Sequence, residues 1–365
     1  MFGEPVAVSV LTGFLGAGKT TLLNRLLKDP ALTDTAVIIN EFGDVAIDHL
    51  LVEQSSNGVI ELSDGCLCCT VRGELVDTLA DLVDRMQRGK IGKLKRVIVE
   101  TTGLADPVPV LQSIMGHPAL VQAYRLDGVV TLVDAVNGAA TLDAHAEAVK
   151  QVAVADRIIV SKGDLAGDPA ALIVRLRQIN PTARILDASK GEATPANLFD
   201  SGLWDPATKT ADVRRWLGEA RDHDHHHHHG HDHHGHHGHP HHHDDRVRSF
   251  SLVHDQPIPY AAVDTFLELL RSVHGEQLLR MKGVIEIAEQ PDRPLVVHGV
   301  QKLLHPPARL PAWPEGQRGT RLVIIGFDLA EEHVRRLFAA ITNQPAIDQP
   351  DRAAVENNPL AIAGM

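Results

Sequence analysis

The first half of the chain alternates short apolar runs with segments whose apolar residues recur every three or four positions. The runs are rich in β-branched residues, which predicts buried strands, and the other pattern predicts helices. The predicted strands are residues 6–11, 36–40, 97–100, 128–134, 157–161 and 183–186. The predicted helices are residues 19–28, 73–88, 108–115, 144–152 and 169–179. Strands separated by helices favour an α/β domain with a mostly parallel sheet covered by helices on both faces.

A second, smaller pattern follows a tract of histidine, aspartate and glycine. It predicts strands at 247–253, 278–288, 295–300 and 321–327, and helices at 260–273 and 331–342. Because these strands follow one another closely, we expect an α+β domain with an antiparallel sheet. The tract has no apolar side chains to bury, so we expect a disordered linker. The predicted units are a first domain 1–220, the linker 221–246, a C-terminal domain 247–345 and a tail 346–365.

Composition and charge narrow the classes of function. The chain is 44% hydrophobic and 22% charged, as in ordinary globular proteins, and its net charge of −12 disfavours nucleic acid or an anionic membrane as partner. No apolar run is long enough for a membrane span, and the start lacks the basic segment of a secretory signal. The three cysteines lie too close together for a disulfide framework and fit a reducing compartment. We therefore expect a cytoplasmic protein.

Residues 13–20 match the phosphate-binding pattern G-x-x-x-x-G-K-[ST] in full, between a predicted strand and a predicted helix. In such a loop the backbone N–H groups wrap the β-phosphate, and a side chain at either of the later glycines would obstruct that approach. Lys19 would neutralise the phosphate charge, and Thr20 would offer its hydroxyl to Mg²⁺. The predicted nucleotide-binding residues of the loop are Gly13, Gly16, Ala17, Gly18, Lys19, Thr20 and Thr21.

The segment after the predicted strand 157–161 indicates which base is bound. It reads Ser161-Lys162-Gly163-Asp164, where P-loop GTPases carry Asn-Lys-x-Asp. Asp164 would accept hydrogen bonds from N1–H and the 2-amino group of guanine, and adenine lacks that amino group. Lys162 would lie along the base plane. Ser161 replaces the usual asparagine and removes a side-chain amide that braces neighbouring loops. Residues 188–190 are similar to the loop whose backbone contacts guanine O6.

Two further segments predict the hydrolysis machinery. Glu100 ends a buried strand, where it would position Mg²⁺ through water, and the backbone N–H of Gly103 would sense the γ-phosphate. With Lys19, these are the candidate catalytic residues for conversion of GTP to GDP and phosphate. Residues 40–48 occupy the position of a switch loop. No arginine is placed as an internal finger, so we expect slow intrinsic turnover.

All three cysteines of the chain, Cys66, Cys68 and Cys69, lie in one short segment. Thiolates are soft donors that suit Zn²⁺, Co²⁺ or Cu⁺. In an extended segment Cys69 would face away from the other two, so the three thiolates reach one ion only if the chain bends. The fourth ligand is open: Glu41 or a histidine would complete the site, or that position would serve exchange of the ion. The alternative is that the three cysteines are buried thiols that pack as small hydrophobic side chains.

These motifs together resemble the CobW-type metal-chaperone GTPases, whose relatives include the zinc-regulated GTPase metalloprotein activators. The matching residues are 13–21, 40–43, 65–69, 100–103, 161–165 and 280–283. The resemblance implies a GTPase domain of the P-loop class followed by a CobW-like C-terminal domain. It also implies GTP-dependent insertion of Zn²⁺, Co²⁺ or a related ion into a client metalloprotein or an enzyme of a metal-cofactor pathway. GTP or GDP, Mg²⁺ and the transferred ion are the implied ligands.

Two functions other than metal delivery stay open, and the first rests on the histidine tract. Fifteen of the residues from 223 to 243 are histidine, and this internal, interrupted arrangement differs from a purification tag. Neutral imidazoles bind Zn²⁺ or Co²⁺ with little geometric demand, so the tract suits capture of metal. One alternative is therefore a metal buffer whose conformation the nucleotide controls. The other is a regulatory or assembly GTPase in which the cysteines are structural.

Overall fold

The computed structural model describes residues 5–40, 60–61, 71–199, 246–305, 307–313 and 318–343. Among these residues the first domain forms a seven-stranded sheet in the order β3-β2-β4-β1-β5-β6-β7. The strands are β1 Val6–Gly13, β2 Thr35–Asn40, β3 Ile60–Glu61, β4 Arg96–Thr101, β5 Tyr124–Asp134, β6 Arg157–Ser161 and β7 Arg184–Asp187. Every pairing between these strands is parallel, which confirms the predicted fold class.

Helices cover both faces of this sheet. They are α1 Lys19–Leu26, α2 Val71–Gln87, α3 Val108–Gly116, α4 Gly138–Ala144, α5 Ala146–Ala153, α6 Ala170–Ile179 and α7 Pro195–Leu198, with a 3₁₀ turn at Pro30–Leu32. Side chains alternate across each strand, so Val10 packs with α2, α3 and α5 while Leu11 packs with α1 on the other face. Near-continuous apolar runs are the result of burial on both faces.

The second domain is antiparallel, as predicted. Its strands are β8 Val247–His254, β9 Leu278–Ile285, β10 Leu295–Val300, β11 Leu303–Leu304, β12 Ala308–Arg309 and β13 Thr320–Phe327. The helices α8 Tyr260–His274 and α9 Glu331–Ile341 cover one face, where Ile324 packs with Phe266 and Phe338. The other face joins the core of the first domain through Val323 and Ile325. The second sheet is therefore buried between its own helices and the first domain.

Two cations of β9 meet one anion of the first domain inside this interface. Asp156 precedes β6, and Arg280 Nη2 lies 2.8 Å from its Oδ1, which Lys282 Nζ also contacts. All three residues are at most 3% exposed. Burial alone would raise the pKa of Asp156, but the charges of Arg280 and Lys282 hold it well below its ordinary value. The carboxylate is therefore ionised, and it also accepts a hydrogen bond from the backbone N–H of Val129.

Most predicted elements appear within a few residues of their expected ends, and five elements were missed. The missed ones are α4, α7, β3, β11 and β12, with seven, four, two, two and two residues, too few for the period of an element to stand out. The predicted strand 278–288 was wrong at its end, because β9 stops at Ile285 and Ile287 makes only an isolated bridge to Ile258. Apart from Arg246, the predicted linker and the tail lie outside the described residues. The domain limits thus stay predictions.

None of the helices within the described ranges combines the length and the apolar character that crossing a bilayer requires.

Replacing Asp156 with asparagine should destabilise the protein strongly. Asp156→Asn leaves Arg280 and Lys282 buried without their anion, which costs about 3–5 kcal/mol of unfolding free energy. Because the folded pKa lies below the unfolded pKa of about 3.9, the aspartate's contribution is complete above that pH and lost as the pH falls through the folded pKa. The difference in unfolding free energy between the wild type and Asp156→Asn, measured by urea unfolding, should therefore become smaller below about pH 4.

The matched control for this experiment is Asp255→Asn. Asp255 also pairs with a buried arginine, Arg321 Nη2 at 2.6 Å, but its own side chain is 73% exposed and the pair lies within the second domain. Solvent screens the exposed Asp255 carboxylate and can replace it beside the guanidinium, so this variant should lose clearly less stability than Asp156→Asn. Equal losses in the two variants would contradict a special role for the interface contact.

Candidate nucleotide-binding site

The loop between β1 and α1 has the backbone geometry that phosphate binding requires. Gly16 and Gly18 adopt φ of 73° and 95°, a left-handed region that side-chain-bearing residues rarely enter. A Cβ at either glycine would have open space around it, so the backbone angle, and not crowding by protein atoms, demands glycine here. No side chain in this described loop caps α1. Its first N–H groups are thus available to an anion at the helix N-terminus.

The cationic and oxygen-donor groups of the loop lie at its mouth. Lys19 Nζ donates to the carbonyl oxygens of Gly13 at 2.8 Å and Phe14 at 3.4 Å, which holds the ammonium over the loop. Thr20 Oγ1 donates to Glu100 Oε1 at 2.9 Å. A hydroxyl and a carboxylate side by side are the hard oxygen donors that Mg²⁺ prefers, so this pair fits the ion that P-loop proteins bind with the nucleotide.

The segment after β4 lies directly on the phosphate loop. A Cβ at Gly103 would lie 2.5 Å from the backbone nitrogen of Leu15, so only glycine allows this approach. Thr101 Oγ1 donates to Thr12 Oγ1 at 2.8 Å and fixes the start of the segment against β1. Gly103 is therefore at the loop, beside Glu100, where the sequence predicts a contact with the γ-phosphate.

At the other end of the site, three loops are joined by side chains. Ser161 Oγ donates to the carbonyl oxygen of Ala17 at 2.7 Å, so the serine itself braces the phosphate loop. The usual asparagine amide is absent, and the serine hydroxyl supplies this contact between the loops. A Cβ at Gly163 would lie 2.9 Å from Ser189 Oγ, which places the loop after β7 against residues 161–164. Asp164 is exposed on the turn after β6.

The lysine of this segment has an anionic partner that the sequence reading missed. Lys162 Nζ lies 2.7 Å from Oδ2 of Asp134, the last residue of β5. Burial would raise the pKa of Asp134, but hydrogen bonds from Lys162, Asn137 and the Val136 N–H lower it. Asp134 could have been found, because it ends a predicted parallel strand at the edge where sites form. Another aspartate, Asp187, is likewise held below its ordinary pKa, chiefly by the Ser189 hydroxyl.

A cavity of 210 Å³ lies beside the loop, between β5 and helices α4 and α5. Residues 14–17 form one wall, and Asp134, Gln151 and Lys162 supply polar groups. The ring of Phe14, which lines the cavity, stacks on His145 with 4.4 Å between ring centroids.

The structure thus brings most of the predicted nucleotide residues to one edge of the sheet. The residues predicted to bind the transition metal lie outside the described residues; they are Glu41, Cys66, Cys68 and Cys69. Within the described ranges, no cluster of three or more His, Cys, Asp or Glu side chains could hold a metal ion. The thiolate site therefore stays a prediction.

Gly163→Ala should weaken guanine-nucleotide binding about tenfold, or about 1.4 kcal/mol. The new Cβ would lie 2.9 Å from Ser189 Oγ, so this hydroxyl, which donates to Asp187 Oδ1 at 2.6 Å, has to move and disturbs the two loops that we expect to hold the base. Adding Ser189→Ala removes that oxygen and should restore much of the affinity, and Ser189→Ala alone is the control. Titration with a fluorescent GDP analogue measures the effect. A double variant as weak as Gly163→Ala would contradict this explanation.

Comparison with known proteins agrees with this geometry. Residues 7–187 match the family model described as CobW/HypB/UreG, nucleotide-binding domain, and residues 247–342 match the cobalamin synthesis protein cobW C-terminal domain. The zinc chaperone YjiA of Escherichia coli K12 is 34% identical over 93% of this chain and 99% of its own. The zinc chaperone CobW of Pseudomonas aeruginosa is 34% identical over 92% of this chain and 90% of its own.

Solved structures give the same relation. The crystal structure of Zn(II)-bound YjiA GTPase from E. coli superimposes with a TM-score of 0.65 at 30% identity, covering 93% of this chain and 99% of that one. The two domains, the phosphate loop and the extent of these matches lead to one conclusion: the chain belongs to the CobW/HypB/UreG family of P-loop GTPases.

Proposed function

We propose that this GTPase is a zinc metallochaperone, which binds Zn²⁺ at Cys66, Cys68 and Cys69 and releases it to a client protein when GTP is hydrolysed. The observation that carries the proposal is the parallel pairing of Asn40 with Thr101 at the ends of β2 and β4. Thr101 belongs to the Glu100–Gly103 segment of the nucleotide site. The connection that leads to the cysteines begins directly after Asn40, at Glu41, and so it starts beside that segment.

The other anchors of this connection support the same proposal. Ala36 and Val37 of β2 pair with Ile60 and Glu61 of β3 in parallel, so both strands run toward the phosphate edge of the sheet. The cysteines follow Glu61 and precede α2, which begins at Val71. β3 thus ends at the same edge of the sheet as the nucleotide site, which supports coupling between the γ-phosphate and the thiolate segment.

Zinc is the ion that the relatives favour, since both YjiA and CobW are named zinc chaperones. The donor chemistry agrees, because Zn²⁺ binds thiolates tetrahedrally and accepts a carboxylate or an imidazole as a further ligand. Glu41 is our candidate for that ligand. Co²⁺ suits the same donors and is the second ion to test. A cytoplasmic location, where thiols stay reduced, fits such a site.

Hydrolysis itself would use the groups that surround the phosphate loop. Lys19 offsets the negative charge that develops on the phosphates, and the Gly103 N–H is directed at the γ-phosphate when the nucleotide is bound. Mg²⁺, held at Thr20 and through water at Glu100, would supply further charge neutralisation. Attack of water on the γ-phosphorus releases phosphate and leaves GDP. Loss of that phosphate removes the contacts that gather the thiolates.

The proposed switch requires a minimum difference in nucleotide-binding free energy, and it requires that zinc and GTP affect each other's binding equally. Changing the thiolate site from about 1% to 99% formed needs about 5.5 kcal/mol of differential nucleotide binding, a demand that γ-phosphate and Mg²⁺ contacts can meet. The coupling is reciprocal, so zinc must tighten binding of GTP relative to GDP by the same factor as GTP tightens zinc.

Zinc titration in the presence of GDP or a non-hydrolysable GTP analogue tests the proposal. We expect tighter zinc binding with the GTP analogue, by about 5- to 150-fold as for typical coupled sites. Replacing Cys66, Cys68 and Cys69 with serine should abolish that difference. Deleting residues 222–245 is the control, which should lower the number of weakly bound ions but keep the difference.

Two results would contradict the proposal. Equal zinc affinity in both nucleotide states would remove the switch. Metal transfer that survives Lys19→Ala but is lost on deletion of 222–245 would instead identify a metal buffer.

A further inference from the structure

Gln151 is a buried side chain of α5 that holds the γ-phosphate segment by two hydrogen bonds. It is 1% exposed, and its Nε2 donates to the carbonyl oxygens of Gly103 at 3.1 Å and Ala105 at 3.0 Å. Gly103 rests on Leu15 of the phosphate loop on its other side. The segment 103–105 is therefore held between the phosphate loop and a single amide.

The backbone of Gln151 is fixed to the sheet. The backbone carbonyl of Gln151 accepts a hydrogen bond from Thr131 Oγ1 of β5 at 2.7 Å. Its helical neighbours Val149 and Val152 are buried in the core of the first domain. A donor on a packed helix can hold a loop accurately, because the helix does not shift without unpacking the core.

The residue before Gln151 contacts the same segment. Lys150 Nζ lies 3.0 Å from Asp106 Oδ2, and Asp106 Oδ1 accepts the N–H of Val108 at the start of α3. Lys150 also lies 5.4 Å from the ring centre of Phe327, at the end of β13 in the second domain. Two consecutive residues of α5 thus contact three residues, Gly103, Ala105 and Asp106, and Lys150 also touches the second domain.

We propose that Gln151 is a positioning residue for GTP hydrolysis, which fixes the Gly103 N–H in the orientation that meets the γ-phosphate. A primary amide has two N–H donors, one for each carbonyl oxygen. The bond to the Gly103 carbonyl fixes the peptide plane that follows the Gly103 Cα, and the Thr101–Thr12 contact fixes the chain before it. Together they limit the backbone angles of Gly103 itself and so the directions of its N–H. The proposal rests on the GTPase function of the chain and not on metal delivery.

Asn180 offers a matched control for a purely structural role. It is also a buried amide, 0% exposed, and its Nδ2 donates to the carbonyl oxygens of Val152, Ala153 and Ala155 at the far end of α5. Both residues satisfy buried carbonyls next to the same helix, so both should stabilise the fold. Only Gln151 contacts the segment that carries Gly103.

The experiment compares Gln151→Met with Asn180→Leu, which keep similar shapes and remove the donors. For each we would measure thermal unfolding, kcat, KM, and the affinities for GDP and a non-hydrolysable GTP analogue. Gln151→Met should lower kcat at least tenfold and reduce the preference for the GTP analogue over GDP by a similar factor, with GDP affinity unchanged. Asn180→Leu should lower the unfolding temperature and keep both kcat and that preference.

A second variant guards against misfolding. Gln151→Asn keeps the donors but is one methylene shorter, so it can reach only part of the segment and should give an intermediate kcat. If Gln151→Met and Gln151→Asn fold and hydrolyse GTP like the wild type, the positioning role is overturned, whereas the GTPase function stands. If the wild type itself hydrolyses no GTP, both fail. If Asn180→Leu loses the GTP preference as strongly as Gln151→Met, general destabilisation explains the effect and the positioning role is overturned.

Discussion

Leu11 of β1 pairs in register with Glu100 of β4, and Gly13 of β1 pairs with Leu132 of β5. Because these strands are parallel, their last residues arrive together at one edge of the sheet, and every later contact of the nucleotide site depends on this register. The phosphate loop follows β1, while Glu100 and Asp134 stand at the ends of its two neighbours. The site is therefore assembled from residues distant in sequence without any long side chain having to span a gap.

The second domain depends on a different constraint, because its sheet is buried on both faces. Its helices cover one face, and the first domain covers the other through Val323, Ile325 and the contact of Asp156 with two cations. Buried charges are tolerated only where they are paired, so a shift of the second sheet that separated these ions would leave charges buried without a partner. Through Lys150, the same interface lies next to the segment that carries Gly103.

Much of the fold could be predicted because strands buried on both faces consist of continuous runs of β-branched and other apolar residues. The predicted first and last residues of β6 and β10 agree with the structure. The phosphate loop was equally accessible, since its glycines are required by local backbone angles. Gln151 and Asp134 were less accessible. Gln151 is one polar residue in a helix, and its partners Gly103 and Ala105 lie 48 and 46 residues away in sequence. The Ser161 contact with Ala17 shows how a different residue can serve as a brace once the distance between loops is known.

The alternation of side chains in β9 makes its length as important as its composition. Arg280 and Lys282 face the first domain, whereas Met281 between them lies in the core under α8 and α9. An insertion of one residue before Arg280 would exchange the two sets, placing both cations under the helices and an apolar thioether against Asp156. Insertions and deletions of odd length in this strand would therefore shift its pairing with β10 and β13.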